Sequence, residues 1–335
     1  MKILVTGVAG FMGSHLAEAL VKEGHEVYGI DNLSIGIRPN VPDGVKFAIM
    51  DMRNAEDMTS VIEECRPELI YHAAAWAHEG LSQFMPRLIT ENNYNAFLNL
   101  IVPAINNGMK RIVVFSSMSV YGDQVPPFDE TMNRKPEDVY AVAKTAIETT
   151  TEILADVHGF DYTIVRPHNV YGPRQMLHDP YRNVVGIFMN RVMKGLPPII
   201  YGDGNQTRAF SYIDDVTPYV LKAGYQDNTI GETINIGPLE EFSINKLATT
   251  ILKAFNREDL SPIYHPNRPR EVKHAYCTNK RAIDLLGYKT SVTLEEGIQK
   301  MADWVKSKGP QDFKYLEELE LKGKNIPSTW LEKLI

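Results

Sequence analysis

Two hydrophobic patterns alternate along the first half of the chain. Short, nearly unbroken apolar runs (KILVTG, HEVYGI, VKFAIMD, ELIYHAAA, RIVVFSS and YTIVRPH) read as strands buried on both faces. Between them, SHLAEALVKEG, AEDMTSVIEEC and NNYNAFLNLIVPAINNG carry apolar positions at the spacing of a helix buried along one side. Such alternation predicts an α/β fold, a doubly wound parallel sheet with helices on both faces. Past residue 170 the texture changes. Proline and glycine crowd into YGPRQ, KGLPPIIYGDGNQ and YHPNRPREV, and the apolar runs shorten. A smaller, irregular α/β lobe over the carboxyl edge of the sheet is expected there. The stretch GETINIG, 231–237, reads as a strand that returns to the large sheet. The expected division is a nucleotide-binding domain of residues 1–167 plus about 210–237, and a substrate lobe of about 168–209 plus 238–335. DFKYLEELELKGKN, 312–325, reads as a charged helix or tail with a solvated face.

Composition narrows the function classes. A chain of 335 residues with 44% hydrophobic and 23% charged residues is that of a soluble globular protein with a large core. Its net charge of -7 offers no attraction for nucleic acid or an anionic membrane. Two cysteines, Cys65 and Cys277, form neither a disulfide framework nor a CxxC pair, and nine histidines include no HExxH, so no metal centre is expected. The N-terminal apolar run reaches glycine too early for a signal peptide, and no apolar run is long enough to span a bilayer. A cytoplasmic protein is the expectation.

Gly7, Gly10 and Gly13 fall between the first strand and the first helix. Glycines there allow a tight turn and bring backbone N–H groups close to a phosphate at a helix start. Asp31 ends the second strand, where a carboxylate accepts both ribose hydroxyls of a dinucleotide and repels a 2′-phosphate. This is a Rossmann fingerprint that favours NAD over NADP. Further along, EDVYAVAK sets Tyr140 and Lys144 four positions apart, on one face of a helix. Ser117, in SSMSVYG, ends a strand.

The GxxGxxG spacing, the YxxxK pair and FSSMSVYG together resemble the extended short-chain dehydrogenase/reductases, and within them the NAD-dependent nucleotide-sugar epimerases and dehydratases. The UDP-hexose 4-epimerases are the nearest kind, and the resemblance runs from Met1 to about residue 305. It implies catalysis by Ser117, Tyr140 and Lys144, with the phenol of Tyr140 as base, its pKa lowered by Lys144 and the nicotinamide. It implies NAD contacts from Gly7, Gly10, Phe11, Met12, Asp31, Asn32, Asp51, Met52, Ala73, Ala74, Ala75 and Asn93, besides Tyr140 and Lys144. For the nucleotide sugar it implies Ser117, Asn169, Arg208, Arg268 and Glu271. Ala275, seven positions after Arg268, would line the sugar pocket and leave room for an N-acetyl group, whereas a register shifted by one would put Tyr276 there. A homodimer through helices near 92–107 and 139–157 is also implied.

The reaction implied is interconversion of C4 epimers such as UDP-glucose and UDP-galactose, extending to UDP-GlcNAc and UDP-GalNAc, through a 4-keto sugar. Dehydratases of the family carry an Asp-Glu pair where this chain has Met118 and Ser119, which argues against elimination. A UDP-glucuronate 4-epimerase remains an alternative, as does a non-catalytic NAD sensor on the same fold.

Overall fold

The computed structural model describes residues 1–335. Its centre is a seven-stranded sheet in which every pairing is parallel. The strands are β1 (Lys2–Thr6), β2 (Glu26–Asp31), β3 (Lys46–Ile49), β4 (Leu69–His72), β5 (Arg111–Phe115), β6 (Asp161–Pro167) and β7 (Glu232–Ile236). Their spatial order is β7-β6-β5-β4-β1-β2-β3. The stretch at 231–237 thus joins the large sheet, beside β6. Side chains alternate between two cores. Ile3 and Val5 of β1 pack with Leu16 and Leu20 of helix α1 (Phe11–Lys22) on one face. Leu4 faces the other way, toward Met58 and Ile62 of α2 (Ala55–Cys65), Phe97 and Leu100 of α3 (Ala96–Asn106), and Ile147 of α4 (Val139–His158). Both faces are covered, which is why the strands read as unbroken apolar runs.

Register places the site. Thr6 stands beside Ile30 of β2 and His72 of β4, and His72 stands beside Val114 of β5. The carboxyl ends of the central strands therefore lie level. The strand order reverses between β1 and β4, and a crevice opens at that point.

The second lobe has its own core, built from the helices Val184–Met193, Ile244–Ala254 and Leu294–Lys308. Small sheets flank it, among them a three-stranded one in which Thr207–Arg208 lies between Phe242–Ser243 and His274–Ala275. One part of the expected lobe packs elsewhere. Ala282 and Leu286, on the helix Lys280–Leu286, join the core over the sheet together with Val220 and Leu221. The boundary drawn through 238–335 therefore crosses a helix of the large domain.

The stretch 312–325 forms no helix; its charged side chains are solvated as expected, except for Glu320. It runs irregularly along the molecule with Phe313, Tyr315, Leu316 and Leu319 turned into a cluster around Phe84, Tyr181 and Trp330. The Glu320 carboxylate accepts the N–H groups of Arg87 (2.9 Å) and Leu88 (2.8 Å), which open the short helix Pro86–Thr90. Those contacts outweigh the local helical preference of a Glu-, Lys- and Leu-rich segment. No helix is long and apolar enough to cross a membrane.

Candidate active site

The crevice holds a cavity of about 700 Å³, within the range of ligand pockets. At one end the turn from β1 to α1 forms a cradle. Gly7 has φ +70°, and a Cβ there would stand 2.8 Å from the Ala74 backbone; one at Gly13 would stand 2.2 Å from the Gly7 carbonyl oxygen. Glycine is required at both positions. Helix α1 starts at Gly10 without a side-chain cap, so its first N–H groups are open to an anion. This cradle fits the pyrophosphate of a dinucleotide. Phe11, Met12, Asn32, Met52, Ala73, Ala74 and Ala75 line the same end.

Asp31 lines it too, its carboxylate accepting the N–H groups of Leu33 (2.8 Å) and Ala9 (3.0 Å). Burial raises its carboxyl above the ordinary range, against those two donors. Asp51 is held down at about 2, chiefly by the Arg53 guanidinium, and also accepts from Asn32 at 3.3 Å. Asn93 differs from the expectation. It sits on a π-helical turn, Glu91–Asn95, and is shut away from the cavity. Its amide is spent on the Trp76 N–H (3.1 Å) and on the carbonyls of Trp76 (3.2 Å) and Ile89 (2.8 Å). It fixes the loop after β4.

Tyr140 and Lys144 lie on α4, and both are buried. Asp138 caps that helix by accepting the Ala141 N–H at 2.8 Å, which sets where the first turn starts. Lys144 Nζ is 5.8 Å from the Tyr140 ring centre and donates to the Phe115 carbonyl at 2.6 Å. Ser117 ends the segment after β5; its Oγ accepts the Ser119 N–H at 3.1 Å and lies against the Tyr140 phenol. A lowered phenol pKa was expected, and the protein's own groups do the reverse. Burial drives the phenol up, Glu79 and Asp138 add to that, and Arg182 and Ser117 only partly oppose it. Lys144 is itself pushed down to about 7 by burial and by Arg182. Arg182, elsewhere on the cavity wall, thus acts on both the phenol and Lys144.

At the far end, Arg208 and Arg268 share the carboxylate of Glu271, at 3.2 Å and 2.7 Å. Arg208 also donates to the Val272 carbonyl at 2.7 Å. Asn169, at φ +32°, donates to the Ala209 carbonyl at 2.9 Å. Ala275 pairs with Arg208 across the small sheet and lines the cavity, whereas Tyr276 does not.

Four cavity residues were missed in the sequence. Glu79 follows the loop after β4; Asp138 directly precedes α4; Arg182 and Trp330 come from segments far along the chain. Only Asp138 left a signal, as an acid in the N-cap position of a helix. Burial raises the carboxyl of Glu79, and burial with the Glu79 charge raises Asp138 to about 7.

The model of the NAD dependent epimerase/dehydratase family matches residues 3–237. A UDP-glucose 4-epimerase of Mycolicibacterium smegmatis is 34% identical over 315 residues, 92% of this chain and 99% of that protein. The crystal structure of a UDP-glucose 4-epimerase from Thermotoga maritima with UDP-glucose superimposes with a TM-score of 0.87 at 32% identity, covering 92% of this chain and 99% of the other. A Thermus thermophilus UDP-glucose 4-epimerase in complex with NAD gives 0.85 at 32% identity, covering 91% and 98%.

Proposed function

The chain belongs to the NAD-dependent epimerase/dehydratase family, and from that premise we propose that it is a nucleotide-sugar 4-epimerase acting on UDP-linked hexoses. What supports the reading is the convergence in one cavity of a dinucleotide cradle, the Ser117–Tyr140–Lys144 group and the Arg208–Glu271–Arg268 cluster. Gly7, Gly10, Phe11 and Met12 hold the pyrophosphate of the cofactor, Asp31 its ribose, and Asp51 its adenine side. When bound, NAD supplies the acceptor for the C4 hydride and the donor that returns it.

Tyr140 takes the proton from the sugar O4 as C4 is oxidised, and gives it back when the ketone is reduced on its other face. Ser117 hydrogen-bonds O4 and keeps it within reach of the phenol. Lys144 holds the nicotinamide ribose and, with Arg182, favours the phenolate. Atoms and electrons balance over the cycle, so no reductant is consumed. Asn169, Arg208 and Arg268 grip the diphosphate while the sugar turns, and Glu271 receives the ribose of the nucleotide. Met118 and Ser119 bring no acid–base pair of their own, so elimination is not catalysed there. Ala275 leaves space beside C2, so N-acetylated hexoses fit as well as plain ones.

We also assign a homodimer, supported by Val102 on α3 and Val142, Ile153 and Val157 on α4, all exposed. The test of function is incubation with UDP-hexoses, UDP-N-acetylhexosamines and UDP-hexuronates, followed by separation of C4 epimers without added cofactor. Interconversion within at least one pair, with NAD released on denaturation, is the expected result. A requirement for stoichiometric NADPH would instead make the protein a reductase.

A further inference from the structure

The stretch 310–335 lies beyond the part of the chain that carries the family resemblance, which ends near residue 305. It is nevertheless tied to both sides of the cavity. On the substrate lobe, the Gln311 N–H donates to the Asn190 side chain at 2.9 Å, and the Leu316 N–H to the Tyr181 hydroxyl at 3.0 Å. On the large domain, the Leu321 N–H donates to the Phe84 carbonyl at 3.1 Å, close to where Glu320 meets Arg87 and Leu88. Residues 329–330 then reach the cavity wall. Trp330 lines it, set edge-on to Tyr181 and Phe84 at 5.1 and 5.9 Å between ring centres. Thr329 is buried, and its hydroxyl shares a hydrogen bond with the Tyr201 hydroxyl at 2.5 Å.

Tyr201 closes the strand Ile199–Tyr201 and lines the cavity. The Arg268 guanidinium lies over its ring, 4.9 Å from the centre. Arg268 belongs to no helix or strand. Its Nε and Nη2 donate to Glu271, on the same irregular stretch, at 2.8 and 2.7 Å. Its Nη1 lies 3.7 Å from where a Cβ on Gly80 would stand, and the Trp330 ring comes within 3.6 Å of the same point. A long side chain on a loop loses rotamer freedom when it grips a ligand, and a face held in advance removes part of that cost. On the proposed reading the substrate ribose draws on Glu271. The Tyr201 ring is then the hold on Arg268 that persists, and Thr329 is what fixes the tip of that ring.

Resting on the 4-epimerase reading, we infer that Thr329 and Tyr201 are positioning residues that aim Arg268 at the substrate diphosphate, so that the 310–335 stretch is part of the nucleotide-binding machinery.

The test uses the NAD-loaded full chain. Calorimetry gives the affinities of UDP and of uridine, and steady-state kinetics give kcat and KM for a UDP-hexose that the wild type turns over. Thr329→Val and Tyr201→Phe each remove one hydroxyl of the pair and keep its shape. Each should weaken UDP about 3–10-fold, the span of one hydrogen bond, and raise KM by a like factor. Because the chemistry lies at Tyr140, kcat should change by less than about twofold. The double variant should be no weaker than either single one, since both break the same bond. Thr329→Ser keeps the hydroxyl and should restore most of the affinity. Uridine, which carries no phosphate, should bind all forms alike, and unchanged NAD content shows that they are folded. Loss of uridine affinity by the same factor would mean a loosened lobe and overturn the inference. Unchanged UDP affinity in Thr329→Val, or additive losses in the double variant, would overturn it too, yet leave the epimerase reading standing. No turnover of any UDP-sugar would bring down that reading, while the UDP titrations would still decide what aims Arg268.

Discussion

Tyr140 is 5% exposed, and its phenol is driven up by burial before any charge is considered. A base in that position depends on every group that favours its anion, which is why Lys144, Arg182 and Ser117 all surround it. Tyr140→Phe keeps the ring and removes the proton acceptor. Turnover should fall by ~10²–10⁴-fold while released NAD is unchanged, measured by epimer separation and by nucleotide content. Asp138 carries a second residue-scale consequence. Its carboxyl lies near 7, against 3.8 for an unperturbed aspartate, because of burial and the Glu79 charge. Between those values the folded protein binds a proton that the unfolded chain does not. This group therefore costs stability increasingly as pH rises through that window. Asp138→Asn keeps a capping side chain and removes the titration. The variant should melt with the wild type at about pH 4 and above it at about pH 8.

The helix α4 is held in place by charge as well as by packing. Glu148, fully buried, accepts from Arg166 at 2.8 and 2.5 Å and from Arg134 at 2.5 Å. Arg166 in turn donates to Tyr121, whose hydroxyl donates to Asn235 on β7. Burial works against the Glu148 carboxylate, but Arg166 and Arg134 hold it below the usual range. The helix that carries Tyr140 and Lys144 is thereby pinned to two strands of the sheet. Glu148→Ala would leave the buried Arg166 guanidinium without a carboxylate, Arg134 keeping Glu152, and should cost about 3–5 kcal/mol in denaturant unfolding. At this scale the sequence was readable where periodicity was strong: all six strand runs and AEDMTSVIEEC fall on observed elements. It was silent on the π-helical turn at Glu91–Asn95, because one extra residue per turn leaves no mark in a hydrophobic pattern.

At the scale of the molecule, the sheet, the lobe and the YxxxK face were legible because each follows from local pattern or from a motif with fixed spacing. Arg182 and Trp330 were not, since no local pattern announces which distant side chains will close a cavity. In 312–325 the Glu and Lys content rightly marked a solvated face, but nothing local announced that the segment is no helix or that Glu320 and four apolar side chains are committed to partners elsewhere. The exposed residues on α3 and α4 carry the prediction for assembly. Ile153→Asp puts a charge in the middle of that apolar surface, and sedimentation should show dimer for the wild type and monomer for the variant.

The shared carboxylate of Glu271 has an effect on how substrate arrives. Two guanidinium groups and one carboxylate leave a single positive charge, and the molecule around them carries a net charge of -7. An incoming dianion is not steered; it meets a slight push that dissolved ions screen away. Encounter then rests on diffusion and shape. On the proposed reading, a nucleotide ribose that draws Glu271 away would leave the charge of both arginines to the diphosphate. The carboxylate is a built-in counter-ion that answers half of the arginines' charge and holds the two guanidinium groups side by side.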